Sequence, residues 1–271
     1  MKNSSDWIYH GSGQQKRIAA SFTGNAYAAH RHVDYTFAVT MHGVQSFNYR
    51  GAQQHSLPGQ VVILHPDELH DGQAGTEAPF QYRAIAISPA EIQEVLNISA
   101  LPFIEHGTST DPALTMLITS LVADLTRPLT TAEYQDSLYD LAHTLQRLAG
   151  SRILTTTPNL TAVKKAREFI DASLLTDVTL DELSKAAEYS KWQLSRDFRQ
   201  VYGSSPYHYL VLKRLEKADM MIRQGVSLAT VAASCHFADQ SHFSRHFKNA
   251  FGISPKKWSM LIQSSHDRSI F

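Results

Sequence analysis

The sequence predicts a multidomain chain of α and β structure in which a β-rich half precedes a purely helical one. Three observations carry this. Short runs rich in Tyr, Phe, Val, Ile and Thr recur between residues 18 and 88, with turn residues between them. Two apolar stripes at helical spacing follow between residues 111 and 150. From Ser190 to Pro255 the chain then repeats itself. Together they predict an N-terminal β-sandwich or barrel, a helical hairpin, and a C-terminal all-α domain built from one motif used twice.

Composition narrows the class. A chain of 271 residues suggests one or two domains, and 43% hydrophobic with 18% charged residues is ordinary for a globular protein. No apolar run approaches the length of a membrane span. The N-terminal stretch MKNSSDWIYH carries Asp6 and no apolar core, so no secretion signal is expected. A lone cysteine, Cys235, forbids an intrachain disulfide. These features predict a cytoplasmic protein with no membrane partner. The net charge of zero hides an asymmetry. Residues 159–271 hold 16 Lys and Arg against 11 Asp and Glu, and residues 1–158 hold 9 against 14. A basic C-terminal half points to a polyanionic partner, and an acidic N-terminal half to something else.

In the N-terminal half, strands are predicted over residues 35–41, 45–49, 61–64 and 80–87, separated by turns at Gly43, Gly51, Pro58-Gly59 and Asp71-Gly72. Six of the 14 histidines lie between His30 and His70. His30 and His32 are two residues apart and share one face of a strand. With His70 they could line a pocket for an organic ligand, hold a divalent metal such as zinc, or serve the structure alone. Tyr35, Glu68, Tyr82 and Arg83 are further polar candidates for the pocket wall.

This stretch resembles the cupin barrel. Gly24, five residues, His30-Arg31-His32 and later Gly43 follow the first cupin motif, and Gly59 with His70 follows the second. The resemblance implies a metal-ligand set of His30, His32 and His70. The acidic ligand position falls on Thr36, and His65 to Gly72 replaces the usual turn, so one of four ligands is missing.

Next comes the hairpin. Asp111 is a plausible N-cap before Pro112, and Leu114, Leu117, Ile118, Leu121, Val122 and Leu125 form one stripe. Tyr134, Leu138, Leu141, Leu145 and Leu148 form the second, after a break at Arg127-Pro128. We expect one stripe to cover the barrel and the other to form a homodimer seam. Residues 151–159 read as a linker.

The C-terminal half carries the repeat. At an offset of 49 residues Ser195 meets Ser244, Arg196 meets Arg245, Phe198 meets Phe247, Gly203 meets Gly252 and Pro206 meets Pro255. A capping box at Thr179 and Glu182 opens a short helix, and a turn at Glu188-Tyr189 leads to Ser190 and a second helix over 191–202. This is a helix-turn-helix. A helix over about 206–224 then leads to a second copy, with a helix over 240–251. A spacer of roughly 28 Å is close to the roughly 34 Å between successive major-groove faces of B-DNA. Trp192, Gln193, Ser195 and Arg196 in the first copy, and Gln240, Ser241, His242, Ser244 and Arg245 in the second, are candidates to read bases. Lys191, Arg199 and Lys248 suit phosphates, as do Lys256 and Lys257. Phe198, Phe243, Phe247 and Cys235 are expected in the core.

The stretch Phe237 to Pro255, FADQSHFSRHFKNAFGISP, resembles the most characteristic segment of the AraC/XylS family of transcription regulators. His236 stands where that family usually has glycine. The resemblance implies an N-terminal cupin-like β-barrel plus helical hairpin, and a C-terminal all-α domain with two helix-turn-helix motifs. The expected boundaries are 1–110 for the effector domain, 111–150 for the dimerising hairpin, 151–159 for the linker and 160–271 for the DNA-binding domain. The implied function is a promoter-binding regulator, usually an activator of RNA polymerase, controlled by a small polar effector such as a sugar, amino acid or organic acid. A metal-dependent cupin enzyme with a DNA-binding tail, or an effector-independent DNA-binding protein, are the alternatives. No Ser/His/Asp or paired-acid arrangement supports an enzyme.

Overall fold

The structure, a computed structural model, describes residues 6–98, 100–150 and 157–266. Most of the expected linker, residues 151–156, lies outside the described residues, as does the end of the chain.

The N-terminal half holds β1 (Trp7–His10), β2 (Lys16–Phe22), β3 (Asn25–His30), β4 (Tyr35–His42), β5 (Gln45–Tyr49), β6 (Ala52–Ser56), β7 (Val61–Leu64), β8 (His70–Ala74) and β9 (Phe80–Ile87). Helix α1 (Pro89–Leu96) and the short β10 (Thr108–Ser109) follow. The strands form two antiparallel sheets, β1-β2-β9-β4-β7-β10 and β3-β8-β5-β6, which do not pair with each other among the described residues, so the expected barrel is an open one of two facing sheets. The predicted strands are β4, β5, β7 and β9 within a residue. Helix α1 was not foreseen; Ser88 and Glu91 close a capping box at its start.

The larger sheet has two buried faces, and strand alternation sorts its residues between them. Tyr35, Phe37 and Val39 of β4, Val61 and Ile63 of β7, and Ile85 and Ile87 of β9 pack on helices. Thr36, Ala38, Val62, Leu64, Ala84 and Ala86 face inward to a cavity. The helices on the outer face are α2 (Pro112–Leu121) and α3 (Thr131–Ala149). Asp111 caps α2 by accepting from the Leu114 amide, as expected. Both helical stripes are consumed here: Leu114, Ile118 and Leu121 join Leu138, Leu141 and Leu145 in one buried cluster with the sheet. The expectation of one stripe left free as a dimer seam is therefore corrected. The sheet exposes a wide apolar face, and covering it takes both helices. Helix α2 also ends at Leu121, before Leu125.

The C-terminal half is α4 (Leu160–Ala172), α5 (Leu180–Ala187), α6 (Lys191–Tyr202), α7 (Pro206–Arg223), α8 (Leu228–Ser234), α9 (Gln240–Phe251) and α10 (Pro255–His266). Helices α5–α6 and α8–α9 are the two helix-turn-helix units, bridged by α7. The Thr179–Glu182 capping box forms. Phe198, Phe243, Phe247 and Cys235 are fully buried, and each such phenylalanine contributes about 1.5–3 kcal/mol. His236 adopts φ +58°, and Glu188 at the matching place in the first turn adopts φ +51°. Both turns therefore carry a left-handed residue without glycine, and His236 Nε2 lies 3.1 Å from Asp177.

The two halves share one apolar core, running from the barrel interior at Val62, Leu64 and Tyr82 to Phe247 and Trp258. Their contact joins α10 to β1, where Trp258 meets His10, and also uses the far ends of both reading helices. Gly203 and Gly252 end α6 and α9 with φ +71° and +72°. A Cβ at Gly203 would lie 2.5 Å from Pro66, and one at Gly252 would lie 2.8 Å from the Ala28 carbonyl oxygen. The repeated glycines thus stop the helices and also let the barrel approach.

Candidate functional site

Between barrel and helices lies a cavity of about 720 Å³. On its barrel side, against the end of α9, β3, β8 and the loop after β3 bring His30, His32 and His70 together; a Cβ at Gly252 would lie 2.9 Å from His30 Nδ1. The ring centres of His30 and His70 are 4.2 Å apart, those of His32 and His70 4.7 Å, and those of His30 and His32 6.2 Å. Each Nδ1 lies 2.8–2.9 Å from a backbone carbonyl: Ala28 for His30, Asp34 for His32 and Glu68 for His70. Burial lowers the pKa of His30 and of His32 to about 4, and holds that of His70 well below the usual value, so all three rings are neutral near pH 7. Tyr82 also lines the cavity, its hydroxyl 2.6 Å from that of Tyr27.

The metal expectation is corrected. A tetrahedral ion about 2.0–2.1 Å from three ring nitrogens would hold the ring centres roughly 5 Å apart. The observed spacings are uneven, the closest pair being packed ring against ring. Among the described residues no group of three or more His, Cys, Asp and Glu is arranged to hold a metal ion.

Three other wall candidates are also corrected. Tyr35 faces the helices, and its hydroxyl donates to the Pro102 carbonyl at 2.6 Å. Arg83 points the same way, donating to the Val122 and Ala123 carbonyls. Glu68 lies outside the cavity, 3.7 Å from Arg50, and contributes only its carbonyl to His70.

The outer end of the cavity was missed by sequence reasoning. Lys16 Nζ sits 2.7 Å from Asp34 of the barrel and 2.7 Å from Glu216 of α7. Burial disfavours its charge, but the two carboxylates outweigh that and raise its pKa. Nearby, Asp219 on α7 accepts from Trp258 Nε1 at 2.7 Å and pairs with Arg223 at 3.2 Å. His10 packs against Trp258, its Nε2 buried without a partner, and burial lowers its pKa to about 3. The histidines and the Lys16 cluster adjoin through Asp34, whose carbonyl faces His32 and whose carboxylate holds Lys16, and apolar side chains such as Val62, Leu64, Phe47 and Phe251 line the rest of the wall.

The barrel also holds the reading helices. Ala28 N–H donates to the Gly252 carbonyl at 2.8 Å, and Arg31 N–H to that of Asn249. Gln93 of α1 donates to the Val201 carbonyl at 2.8 Å, and His208 Nδ1 lies 2.7 Å from Asp67.

The opposite ends of α6 and α9 present the DNA-reading candidates. Trp192 is 72% exposed, and Gln193, Gln240, Ser241, Arg245 and Lys248 are also exposed. Ser195 and Ser244 are half-buried. Lys191 pairs with Asp181 at 2.9 Å, and Arg199 donates to the Ser195 hydroxyl and carbonyl. Arg196 is exposed but pairs with the buried Asp197 at 3.0 Å. His242 is turned partly inward: its Nε2 is 2.9 Å from that of His246, and its ring packs on Phe237.

A ligand-sized cavity in a barrel, joined to paired helix-turn-helix units, defines a DNA-binding transcription regulator with a ligand-binding N-terminal domain. Residues 12–142 match the AraC-like ligand binding domain, and residues 183–260 match a helix-turn-helix domain. An uncharacterized HTH-type transcriptional regulator YbfI of Bacillus subtilis is 24% identical over 191 residues, covering 68% of this chain and 70% of that one. The Msm operon regulatory protein of Streptococcus mutans is 24% identical over 223 residues, 78% and 80% of the two chains. The chain belongs to the AraC/XylS family of transcriptional regulators. Its fold matches ToxT of Vibrio cholerae with a TM-score of 0.70 at 12% identity, over 92% of this chain and 99% of that one. ToxT has also been crystallised bound to an unsaturated fatty acid.

Proposed function

We propose that this regulator is switched by a small amphipathic effector held in the cavity between barrel and reading helices. The observation that carries this reading is that one cavity has walls from both domains, His30, His32 and His70 on one side and Leu212, Glu216 and Phe251 on the other. The expected polar effector is narrowed accordingly: the cavity joins one polar region, running from the histidines through Asp34 to Lys16 and Glu216, to apolar walls at Val62, Leu64 and Phe47. An amphipathic ligand in ToxT, which has the same fold, supports that shape. No catalytic role is assigned to the chain.

The mechanism is a population shift. An occupant touching His30 or Glu216 changes contacts that also fix Gly252 and α7, and so changes which arrangement of α6 and α9 is favoured. Trp192, Gln193, Ser195, Arg196, Gln240, Ser241, His242, Ser244 and Arg245 read double-stranded promoter DNA, and Lys191, Arg199 and Lys248 hold its phosphates. Residues 1–110, 111–150, 151–159 and 160–271 serve as effector domain, hairpin, linker and DNA-binding domain. The regulator acts in the cytoplasm as a homodimer that activates RNA polymerase.

Reciprocal titrations test the coupling. The factor by which effector tightens or loosens DNA must equal the factor by which DNA changes effector affinity. Independent affinities would sink the proposal.

A further inference from the structure

The hydrogen-bonding polarity of the histidine end says what chemistry the effector brings to it. A carbonyl oxygen can only accept, so the nitrogen facing it must carry the proton. His32 faces the Asp34 carbonyl and His70 the Glu68 carbonyl, in both cases through Nδ1. A neutral imidazole has one N–H. With that proton on Nδ1, Nε2 of each ring is a bare acceptor. On the donor side, Tyr27 and Tyr82 share one hydrogen bond between two hydroxyls, which leaves a single O–H proton over. Acceptors therefore outnumber donors at this end.

The charges along the cavity point the same way. Lys16 is already held between Asp34 and Glu216. The Arg17 guanidinium donates to the carbonyls of Leu121, Asp124, Ser12 and Arg127, away from any ligand. Arg223 is paired with Asp219. A carboxylate or phosphate beside the histidines would meet these acceptors, while the cation nearest them among the described residues, Lys16, is already held by Asp34 and Glu216; a buried anion without a partner of its own is strongly disfavoured.

Resting on the effector reading above, we propose that the effector presents hydrogen-bond donors, hydroxyl or ammonium and not an anion, to His32 Nε2 and His70 Nε2. Its apolar body lies against Val62 and Phe47 of the cavity wall. Hydroxyls also accept, and so satisfy the spare tyrosine proton.

Two measurements on the full-length protein test this. Long-range ¹H–¹⁵N NMR of histidine-labelled protein reads the tautomers directly. Nδ1-protonated neutral rings at positions 32 and 70 are expected, and an Nε2-protonated ring at either would overturn the assignment. Calorimetry with three probes sharing one alkyl chain reads the ligand class: hexyl β-glucoside, hexylammonium and hexanoate. At least one of the first two should bind roughly tenfold or more tighter than hexanoate, and the better of them separates hydroxyl from ammonium. Hexanoate binding as tightly as either, or zinc binding at the three histidines, would overturn the proposal. His70→Phe should weaken the preferred probe by roughly tenfold. If that variant does not fold, the tautomers of the unsubstituted chain still decide. A donor probe that binds while leaving affinity for selected DNA unchanged defeats the effector reading and leaves this assignment standing.

Discussion

The two helix-turn-helix units are copies in sequence but differ in how they are held. In the first, position 197 is a fully buried aspartate, bonded by Asn159 N–H at 2.9 Å, by the Tyr189 hydroxyl at 3.0 Å and by Arg196. In the second, the matching residue is His246, half-buried against His242 and Phe237. Both units meet the effector domain, α6 through Gln93 and Pro66 and α9 through Ala28 and Arg31, but only the first is also tied by a buried aspartate to the start of α4 and to its own turn. The duplicated motif thus keeps two different internal anchors.

Breaking the first anchor has the largest expected effect. Asp197→Ala strands a buried amide, a tyrosine hydroxyl and an arginine, and should cost about 2–4 kcal/mol of unfolding free energy in urea titration. Asp197→Asn should recover part of it. His246→Ala removes a half-buried ring and should cost about 1 kcal/mol or less. Equal losses would show that the copies are held alike.

The paired arginines come next. Arg245 has no ion pair among those found in the described residues, whereas Arg196 is bound to Asp197. Arg245→Ala should therefore cost about 1–3 kcal/mol of specific DNA binding and relax preference at one base position, with little change in stability. Arg196→Ala should show in stability as well, because Asp197 loses a partner. If Arg245→Ala weakens all sequences alike, that residue contacts phosphate instead.

Acid sharpens the contrast. Burial, then His242, Arg245 and His208, push the His246 pKa down. A depressed histidine pKa means stability fully present above about pH 6.5 and lost as pH falls through the folded value. For Asp197, burial pushes upward, but the bonds from Asn159, Arg196 and Tyr189 together outweigh it and hold the carboxyl low. Its contribution is present above about pH 4 and is lost only below. Hydrogen exchange at pH 5.5 against pH 7.5, corrected for intrinsic rate, should accelerate in α9 and not in α6. Acceleration in α6 alone would reverse the assignment.

What the sequence reveals follows what is local. The capping residues Asp111, Thr179 and Ser205, and the helix stops at Gly203 and Gly252, depend on neighbours within four residues and were legible. Tyr35 was misplaced although the signal was present. Thr36 occupies the cupin ligand position and faces the cavity, so its neighbour Tyr35 must face away. Glu68 and Arg83 were chosen for chemistry without a face to place them on. Lys16 and Glu216 are 200 residues apart, and no period or spacing joins them. The cavity is a product of domain docking, which leaves no local pattern.

The smallest effect concerns the helix starts. Asp239 caps α9, accepting from the His242 amide at 2.7 Å, but Ser190 makes no side-chain cap bond at α6. The first-turn amides of α6 thus lack that partner, beside Trp192 and Lys191, where a phosphate would lie on the positive end of the helix. Ser190→Asp gives the first copy the cap of the second. It should stabilise the protein by about 0.5–1 kcal/mol through the cap and the helix dipole. The same carboxylate would occupy the phosphate position, so affinity should fall for all DNA sequences alike, with a shallower dependence on salt. A gain in stability with unchanged DNA affinity would mean that the start of α6 does not meet the backbone. The first copy would then approach DNA by a different face from the one its sequence shares with the second.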